Sequence, residues 1–369
     1  MNPAPVIHQF APTVAPGDGV TNAVLYTREL LRELGCLSDI FSHRPPFELR
    51  DIATDIHRFD HRACDLLLVH HSMGHDLDRW LAGLGCPKVL VYHNITPVEY
   101  FPEGSGHHYY ARRGLEQLAE WRDQYLGAIG VSALNSAALR AHGYPQVTTL
   151  PLLVDFAKLD GPMATPPWAS LCHDRQVLLS VGRISANKRQ DLLVDAMAAL
   201  KKLAPDGPAP LLFLAGTSVN TAFDQCVRQR IADCSLDGDV VVSGLIDEAH
   251  LRWLYQHSAA YWCASEHEGF CMPLIEAGYY GLPVVAFASS NIPDTLGEGG
   301  LILDEPSPGA MAAITLRLLA DRPFRDNVIA AGTRNLQRFD RATLVNALRN
   351  YLGDLGILSN PGPAGAPGP

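Results

Sequence analysis

Residues 260–277 read AYWCASEHEGFCMPLIEA, a stretch that contains a complete strand, loop and helix. The apolar run at 260–263 predicts a buried strand, and Pro273 suits the first turn of a following helix. Glu268 lies in the loop, and Glu276 lies about two turns away, beyond the free amides at the helix start. Two carboxylates around backbone donors favour polyhydroxylated and phosphorylated ligands, although Glu266 could also be a surface charge and Glu276 a helix-face residue.

The same alternation of short apolar runs and helical segments extends along the chain and predicts an α/β fold with parallel sheets. Predicted helices include one capped by Thr21 and ended by Gly35, and two at residues 191–200 and 247–257, the latter capped by Asp247. The predicted strands cover residues 6–10, 66–70, 89–92, 128–131, 147–150, 177–181, 211–215, 240–242, 260–263 and 284–287.

Gly-Pro and Pro-Pro pairs between residues 161 and 168 interrupt regular structure and predict a linker. We therefore expect one Rossmann-like domain at 1–160 and a second at 161–335, with their sheets facing across a cleft. A helix at 336–358 is expected to pack back on the first domain. The segment 359–369 is nearly all Gly, Pro and Ala and is expected to be a disordered tail.

Composition narrows the possible functions. The 369 residues exceed what a single core holds, and a net charge of −10 argues against broad binding of nucleic acid or anionic membrane. No apolar run reaches the ~18 residues of a membrane helix, and residues 1–20 lack the pattern of a secretory signal, so we expect a cytoplasmic protein. Its eight cysteines contain no Cys-x-x-Cys pair and are expected to be free thiols.

Two further loops could bind phosphate. Gly17 and Gly19 lie between the first predicted strand and helix, where helix amides favour an anion. Asp39 follows at the distance of a ribose-binding acid in a dinucleotide fold, although Asn22 replaces the third glycine of that fingerprint. In the second half, Arg183 and Lys188 follow a predicted strand in one loop and suit a pyrophosphate.

Together, Gly-Arg-x4-Lys at 182–188, Glu-Gly-Phe at 268–270 and the Glu-x7-Glu spacing of 268 and 276 resemble the retaining glycosyltransferase family 4, which has the GT-B fold. Residues 91–97 and 128–132 resemble segments of bacterial, mannosyltransferase-like members. One departure is Cys271, where many members have a second glycine.

The resemblance implies a role for each matching residue. Arg183 and Lys188 would bind and neutralise the donor diphosphate, and Glu276 would bind the ribose. Glu268 and the amides of Gly269 and Phe270 would hold the transferred sugar, which His93 would approach from the first domain. Gly19 would contact the phosphates by its amide. The remaining expected contacts are Gly182, Gly244 and Leu245 in the donor site and Ser132 and Asn135 in the cleft.

The implied reaction is retaining transfer of a hexose from a nucleoside diphosphate sugar to a saccharide or lipid-linked saccharide. GDP-mannose is the favoured donor, UDP-sugars remain open, and envelope polysaccharide synthesis with peripheral membrane association is the expected setting. No cofactor or metal is expected, because the Asp-x-Asp pairs at 76–78 and 237–239 are typical of a helix start and a turn.

Several alternatives stay open. An NAD(P)-dependent oxidoreductase would use the Gly17–Gly19 loop, and a non-catalytic partner subunit would bind nucleotide sugar without turnover. A nucleotide-sugar epimerase shares the fold but would not be expected to carry the Glu-x7-Glu pair. His93 could be a core histidine. The aromatic and basic segment 106–113 could meet an acceptor or simply be a loop and the first turn of a helix.

Overall fold

The computed structural model describes residues 3–15, 18–154, 156–205, 210–218 and 221–359. The chain divides into two compact units, which consist of Met1–Leu153 with Phe339–Pro369, and of Val154–Arg338. We call them unit 1 and unit 2. The sequence analysis predicts these boundaries after residues 160 and 335 instead. The tail predicted at 359–369 lies outside the described residues except for Ser359.

Unit 1 contains a seven-stranded parallel sheet. Its strands are β1 (Ile7–Phe10), β2 (Ile40–Ser42), β3 (Ala53–Asp55), β4 (Leu66–His71), β5 (Lys88–Tyr92), β6 (Gly127–Gly130) and β7 (Val147–Thr149). They lie in the order β3-β2-β1-β4-β5-β6-β7, so the chain reverses direction across the sheet after β3. The five strands predicted for this half are present, and β2 and β3 are additional to them.

Four helices of unit 1 follow these strands: α1 (Gly19–Glu33), α2 (Asp78–Ala82), α3 (Gly106–Glu120) and α4 (Ala133–Ala141). Helix α1 is capped by Asp18, whose carboxylate accepts the Thr21 amide at 3.0 Å, so the prediction of Thr21 as the cap is wrong. Both residue types cap helices well, and here the Thr21 hydroxyl instead accepts the Ala15 amide. Gly35 follows the helix with φ +82°, which confirms the predicted end.

Unit 2 contains a six-stranded parallel sheet in the order β10-β9-β8-β11-β12-β13. Its strands are β8 (Gln176–Val181), β9 (Pro210–Ala215), β10 (Val240–Gly244), β11 (Ala260–Cys263), β12 (Val284–Phe287) and β13 (Leu301–Leu303). All but β13 are predicted. The side chains of β8, β9 and β11 are largely buried, and this explains why they read as continuous apolar runs rather than alternating ones.

The helices of unit 2 are α5 (Phe156–Leu159), α6 (Gln190–Leu203), α7 (Thr221–Asp233), α8 (Glu248–His257), α9 (Met272–Tyr279), α10 (Ile292–Leu296), α11 (Pro308–Ala320) and α12 (Arg322–Asn335). Asp247 caps α8 as predicted and accepts the His250 amide at 2.9 Å. Pro273 lies in the first turn of α9, also as predicted. No helix in the described part of the chain is long and apolar enough to cross a membrane.

The chain returns to unit 1 with α13 (Arg341–Asp354). Arg341 pairs with Glu33 at 2.7 Å and with Glu29 at 3.2 Å, and this joins α13 to α1. Tyr351 packs so closely on β6 that a Cβ at Gly127 would lie 2.3 Å from its hydroxyl. Glycine is therefore required at 127 for the last helix to dock.

Candidate active site

The predicted site residues of unit 2 gather at the carboxyl ends of its strands. Gly182 and Arg183 follow β8, Gly244 ends β10, and the loop of residues 264–271 follows β11. Strands β10, β9, β8 and β11 are consecutive neighbours in the sheet. In open parallel sheets this edge is where ligands bind. Local sequence spacing and sheet order together bring the two predicted loops into contact.

Lys188 and Glu268 form a direct ion pair across these loops. The Lys188 ammonium donates to a Glu268 carboxylate oxygen at 2.5 Å, and their side chains are 21% and 8% exposed. Burial by itself would raise the pKa of Glu268, but the Lys188 charge outweighs burial and holds this pKa below its usual value. Burial would lower the pKa of Lys188, and Glu268 likewise reverses the effect and raises it. Both groups are therefore charged at neutral pH.

Backbone contacts fix the two loops to each other. The Glu266 amide donates to the Asn187 carbonyl at 2.8 Å, and the Asn187 side chain donates to the His267 carbonyl at 3.3 Å. Ser290 holds the Glu268 backbone from the other side, since its hydroxyl accepts the amide at 3.1 Å and donates to the carbonyl at 2.8 Å. Asn187 and Ser290 are missed by the sequence analysis. The Lys188–Glu268 pair is thus held in place before any ligand binds.

Two arginines lie beside this pair. Arg183, which the sequence predicts for the diphosphate, is exposed, and its carbonyl accepts the Gln190 side chain at 2.9 Å. Arg189 has a left-handed backbone with φ +50° and pairs with Asp191 and Glu266. The pairing with Glu266 is not predicted from the sequence, because Glu266 is 77 positions away. Of these two arginines, Arg183 is the exposed one.

Glu276 lies in α9, where the Tyr255 hydroxyl donates to its Oε2 at 2.7 Å. Burial raises the pKa of Glu276, and the tyrosine bond only partly opposes that rise. Gly269 and Phe270 follow Glu268 in the loop, and the Phe270 carbonyl accepts the Thr295 hydroxyl at 2.5 Å. The loop ends at Cys271, which has φ +68°. The glycine expected there by family resemblance would adopt this backbone without strain.

Glycines line the ends of three adjacent strands. Gly182, Gly216 and Gly244 have φ values of +153°, +151° and +73°. A Cβ at Gly216 would lie 2.1 Å from the Gly182 carbonyl oxygen, so no side chain fits there. Gly216, which the sequence analysis missed, lets the chain after β8 pass closely over the end of β9. Leu245, the next predicted contact after Gly244, is 84% exposed.

His93 belongs to unit 1, where it follows β5. Its Nε2 lies 2.8 Å from Nδ1 of His70, and Nε2 of His70 lies 3.0 Å from the Gln9 side-chain oxygen. Burial, together with the nearby His71, lowers the pKa of His93 to about 3. His93 is therefore a neutral ring that is partly exposed and oriented by a buried chain of side chains.

The described part of the predicted dinucleotide loop places a carboxylate where a phosphate would bind. Gly17 lies outside the described residues, and Gly19 begins α1 behind the Asp18 carboxylate, which would repel a phosphate. Asp39 directly precedes β2, at the amino end of that strand, and pairs with Arg32 at 3.6 Å. A ribose-binding acid belongs at the carboxyl end of its strand. The positions of Asp18 and Asp39 thus argue against the oxidoreductase alternative.

The remaining predicted positions serve the fold of unit 1. Ser132 and Asn135 are 1% and 0% exposed. The Ser132 hydroxyl caps α4 by accepting the Asn135 amide, and the Asn135 side chain donates to the Tyr92 carbonyl and accepts from Asn94. Both side chains are therefore bonded to protein groups of unit 1.

The segment 106–113 forms the first turns of α3, where Arg113 pairs with Asp78, Glu116 and Glu120. The Tyr110 hydroxyl donates to Asp76 at 2.7 Å. The carboxylates of Asp76 and Asp78 are therefore both bonded to side chains of the protein. In the other Asp-x-Asp pair, Asp239 is paired with Arg175 and Lys201. A cavity of about 730 Å³ in unit 1 has a mixed lining of apolar residues and polar ones that include Asp18, Asp76 and Tyr110.

Comparison with known proteins agrees with this geometry. Residues 169–335 match the family described as glycosyl transferases group 1, as the resemblance implied. The chain is 28% identical over 116 residues to O-antigen chain mannosyltransferase B of Escherichia coli, covering 31% of this chain and 30% of that protein. It is 29% identical over 214 residues to GDP-mannose:cellobiosyl-diphosphopolyprenol alpha-mannosyltransferase of Xanthomonas oryzae, covering 55% of this chain and 52% of that protein. The matched part thus spans about half, or less, of these two relatives.

Structural similarity to known proteins covers more of the chain than sequence similarity does. The crystal structure of Anabaena HepE in complex with UDP and glucose superposes with a TM-score of 0.70 at 17% identity and covers 95% of this chain and 99% of that one. The chain has two Rossmann-like units with parallel sheets, as predicted, and this is the fold class called GT-B.

Proposed function

We propose that this chain, whose residues 169–335 are a group 1 glycosyltransferase region, transfers a hexose from a nucleoside diphosphate sugar to a saccharide or lipid-linked saccharide. The observation that carries the proposal is the ionised Lys188–Glu268 pair at the carboxyl edge of the unit 2 sheet. The pair places a fixed cation next to a fixed anion. The cation suits a charged diphosphate, and the anion suits the hydroxyl groups of a sugar.

Lys188 and Arg183 are assigned to the diphosphate. When the bond between the anomeric carbon and phosphate breaks, negative charge develops on the leaving nucleotide. Lys188 is already charged and held in place, so it stabilises this charge with little reorganisation. The exposed Arg183 guanidinium closes on the same phosphates, and Gly182 leaves room for them, because a Cβ there would lie 3.9 Å from Cε of Lys188.

Glu276 is assigned to the ribose and Glu268 to the transferred hexose. The Tyr255 hydroxyl occupies Oε2 of Glu276, and Oε1 is the atom that we assign to the ribose hydroxyls. Glu268, with the amides of Gly269 and Phe270, holds the sugar hydroxyls. Leu245, which is exposed after Gly244, supports the nucleoside from the side of β10.

We propose retention of the anomeric configuration, with attack on the same face and the leaving phosphate taking the acceptor proton. His93 is neutral and is assigned to a sugar hydroxyl as a hydrogen-bonding group rather than as a cation. NMR of the product formed at the earliest time points tests this step. An inverted anomeric centre would exclude it.

GDP-mannose is our first choice of donor. Both relatives described above are named mannosyltransferases, and one of them is named for GDP-mannose. UDP-sugars are the second choice, because HepE was solved with UDP. We place the enzyme in the cytoplasm, with peripheral contact to the membrane that carries a lipid-linked acceptor in envelope polysaccharide synthesis.

Thermal unfolding in the presence of GDP, UDP, ADP and NAD tests the ligand class. A ligand at ~100 times its Kd stabilises a protein by about 2.7 kcal/mol. We expect one nucleoside diphosphate to raise the unfolding midpoint of the wild type, and Lys188→Ala and Glu276→Ala to lose the rise. Lys202→Ala, an exposed lysine at the end of α6, is the matched control. Stabilisation by NAD alone would refute the proposal.

Turnover distinguishes an enzyme from a binding subunit. We expect transfer or slow hydrolysis of the mannose or glucose derivative of the nucleotide that stabilises the protein. This turnover should persist in EDTA, because the cations Arg183 and Lys188 supply the charge that a metal supplies elsewhere. Loss of turnover in EDTA that magnesium or manganese restores would contradict the metal-independent mechanism. Binding without any turnover, in the presence of a panel of lipid-linked saccharides, would favour the non-catalytic alternative.

A further inference from the structure

The loop between β11 and α9 carries two thiols in addition to its carboxylates. Cys263 is the last residue of β11, and Cys271 is the residue before α9. One ligand atom from each of Cys263, Glu268 and Cys271 lies within 4.8 Å of the other two. All three residues are buried, and the eight cysteines are free thiols. Neither the sequence analysis nor the proposed reaction uses these thiols.

The three ligand atoms are close to the spacing of a metal site. Zn–S bonds of about 2.3 Å and Zn–O bonds of about 2.1 Å place the ligand atoms of a tetrahedral ion about 3.5–3.8 Å apart. A contraction of about 1 Å from the upper limit of the observed spacing would therefore enclose an ion. Two sulfurs and one carboxylate favour Zn²⁺ over Mg²⁺ or Ca²⁺, and three protein ligands leave a fourth position open.

The charges of the cluster also balance. Without metal, the Lys188 cation neutralises the Glu268 anion, and Cys263 and Cys271 are free cysteines beside this pair. Cysteine ligands release their protons when Zn²⁺ binds, so one dication enters and two protons leave. The total charge of this buried cluster is the same before and after. Lys188 then serves as the counter-ion of a singly negative Zn²⁺–dithiolate–carboxylate group, and no unpaired charge is buried.

We infer that Cys263, Glu268 and Cys271 form a binding site for one thiophilic divalent cation of the Zn²⁺ class, and that the bound cation blocks the donor sugar. The blocking effect rests on the proposed function, because the ion takes the carboxylate that would otherwise hold the hexose. The binding itself rests only on the geometry of the cluster. The site is inhibitory and does not take part in transfer.

Cobalt titration of the full chain tests the binding. Co²⁺ replaces Zn²⁺ in such sites, and thiolate ligands give it a strong charge-transfer absorption. We expect this absorption to reach its maximum at one Co²⁺ per chain and to disappear when Zn²⁺ is added. Cys271→Gly should abolish it, and this variant should still fold, since glycine adopts φ +68° without strain. Cys36→Ser, at a buried cysteine of unit 1, is the matched control and should keep it.

Two outcomes would overturn the site. One is the lack of thiolate absorption in the wild type, and the other is absorption that Cys271→Gly retains. Cys263→Ser should also abolish the absorption, and the unfolding midpoint of each variant without metal shows whether it is folded. Loss of absorption in the Cys36→Ser control would likewise overturn the assignment.

Zinc titration in the nucleotide assay tests the inhibition. In the wild type we expect Zn²⁺ to reduce transfer or hydrolysis of the donor, with activity restored by EDTA, while Cys271→Gly keeps its activity in Zn²⁺. Equal inhibition of both proteins would overturn the inhibitory role. If no nucleoside diphosphate stabilises the protein and no donor turns over, the proposed function fails, and the cobalt absorption still decides the metal site.

Discussion

Lys188 and Glu268 each depend on the other to remain charged inside unit 2. The pair is only partly accessible, and its hydrogen bond joins residues 80 positions apart. Removing one partner of a buried pair leaves the other charge unpaired, which costs more than removing both. The same two residues that are assigned to ligand binding are therefore also structural.

Lys188→Met should lower the stability of unit 2 by about 3 kcal/mol, because it leaves the Glu268 carboxylate buried without a cation. The double variant Lys188→Met/Glu268→Gln should recover most of this loss. Urea unfolding followed by tryptophan fluorescence measures both, with Lys202→Met as the control. A double variant as unstable as the single one would show that the pair is not coupled.

The pair also predicts a pH dependence. The pKa of Glu268 lies below its ordinary 4.5 in the folded chain, so its stabilisation is complete above about pH 4.5 and is lost as the pH falls through the folded value. The pKa of Lys188 lies above 10.5, so its stabilisation is complete below that pH and is lost above the folded value. The stability of the wild type relative to the double variant should be constant between pH 6 and 9 and should fall in acid. A flat difference down to pH 3 would contradict this.

At this scale the sequence predicts residues whose spacing is local. Lys188 and Glu268 are recognised because each lies a few positions after a strand, and Glu276 because of its spacing from Glu268. The roles of Ser290 and of the Arg189–Glu266 pair are not predicted. Ser290 bonds to Glu268 across 22 positions and Arg189 to Glu266 across 77, and only the sheet order brings these residues together.

At the scale of elements, the strand ends of unit 2 decide how closely the loops pack. The amide of Gly216 donates to the Gly244 carbonyl at 3.1 Å, and the amide of Gly182 donates to the Ala215 carbonyl at 2.9 Å. These bonds extend the pairing of β8, β9 and β10 beyond the regular strands and place the Arg183 loop above the sheet. Long strands such as β4 and β8 are predicted from their apolar runs. The three-residue strands β2, β3 and β13 are not predicted, although the equally short β7 is, and pairing with neighbouring strands places them in the sheets.

Gly216→Ala should destabilise unit 2 by about 2–3 kcal/mol and weaken nucleotide binding, because its Cβ would collide with the Gly182 backbone. Gly244→Ala is the matched variant at the next strand. A Cβ there has nothing within 4 Å, so only the positive φ opposes it, at about 1 kcal/mol. Thermal unfolding with and without the stabilising nucleotide measures both effects. Equal losses for the two variants would rule out the collision.

At the scale of the whole molecule, unit 1 is made from two separate parts of the chain and unit 2 from one. A continuous unit with its own sheet and core has what it needs to fold alone. The first part of unit 1, in contrast, lacks α13, which supplies Arg341 to α1 and Tyr351 to β6.

A fragment of residues 154–338 should therefore unfold cooperatively by itself, whereas a fragment of residues 1–153 should be unstable or aggregate. Adding a synthetic peptide of residues 339–359 to the second fragment should restore part of its stability. Circular dichroism and thermal unfolding measure each fragment. A stable 1–153 fragment would show that α13 is dispensable for unit 1.

The discontinuity of unit 1 also affects its synthesis. A ribosome makes all of unit 2 before it reaches α13. At ~5–20 residues per second, the sheet of unit 1 therefore lacks this helix for about ten seconds or longer. During that interval the surface of α1 that later meets Arg341 has no partner, and the part of β6 near Gly127 lacks the contact with Tyr351. The sheet of unit 1 is thus made before unit 2 but completed after it, and the nascent chain is most exposed to chaperones and proteases at this sheet.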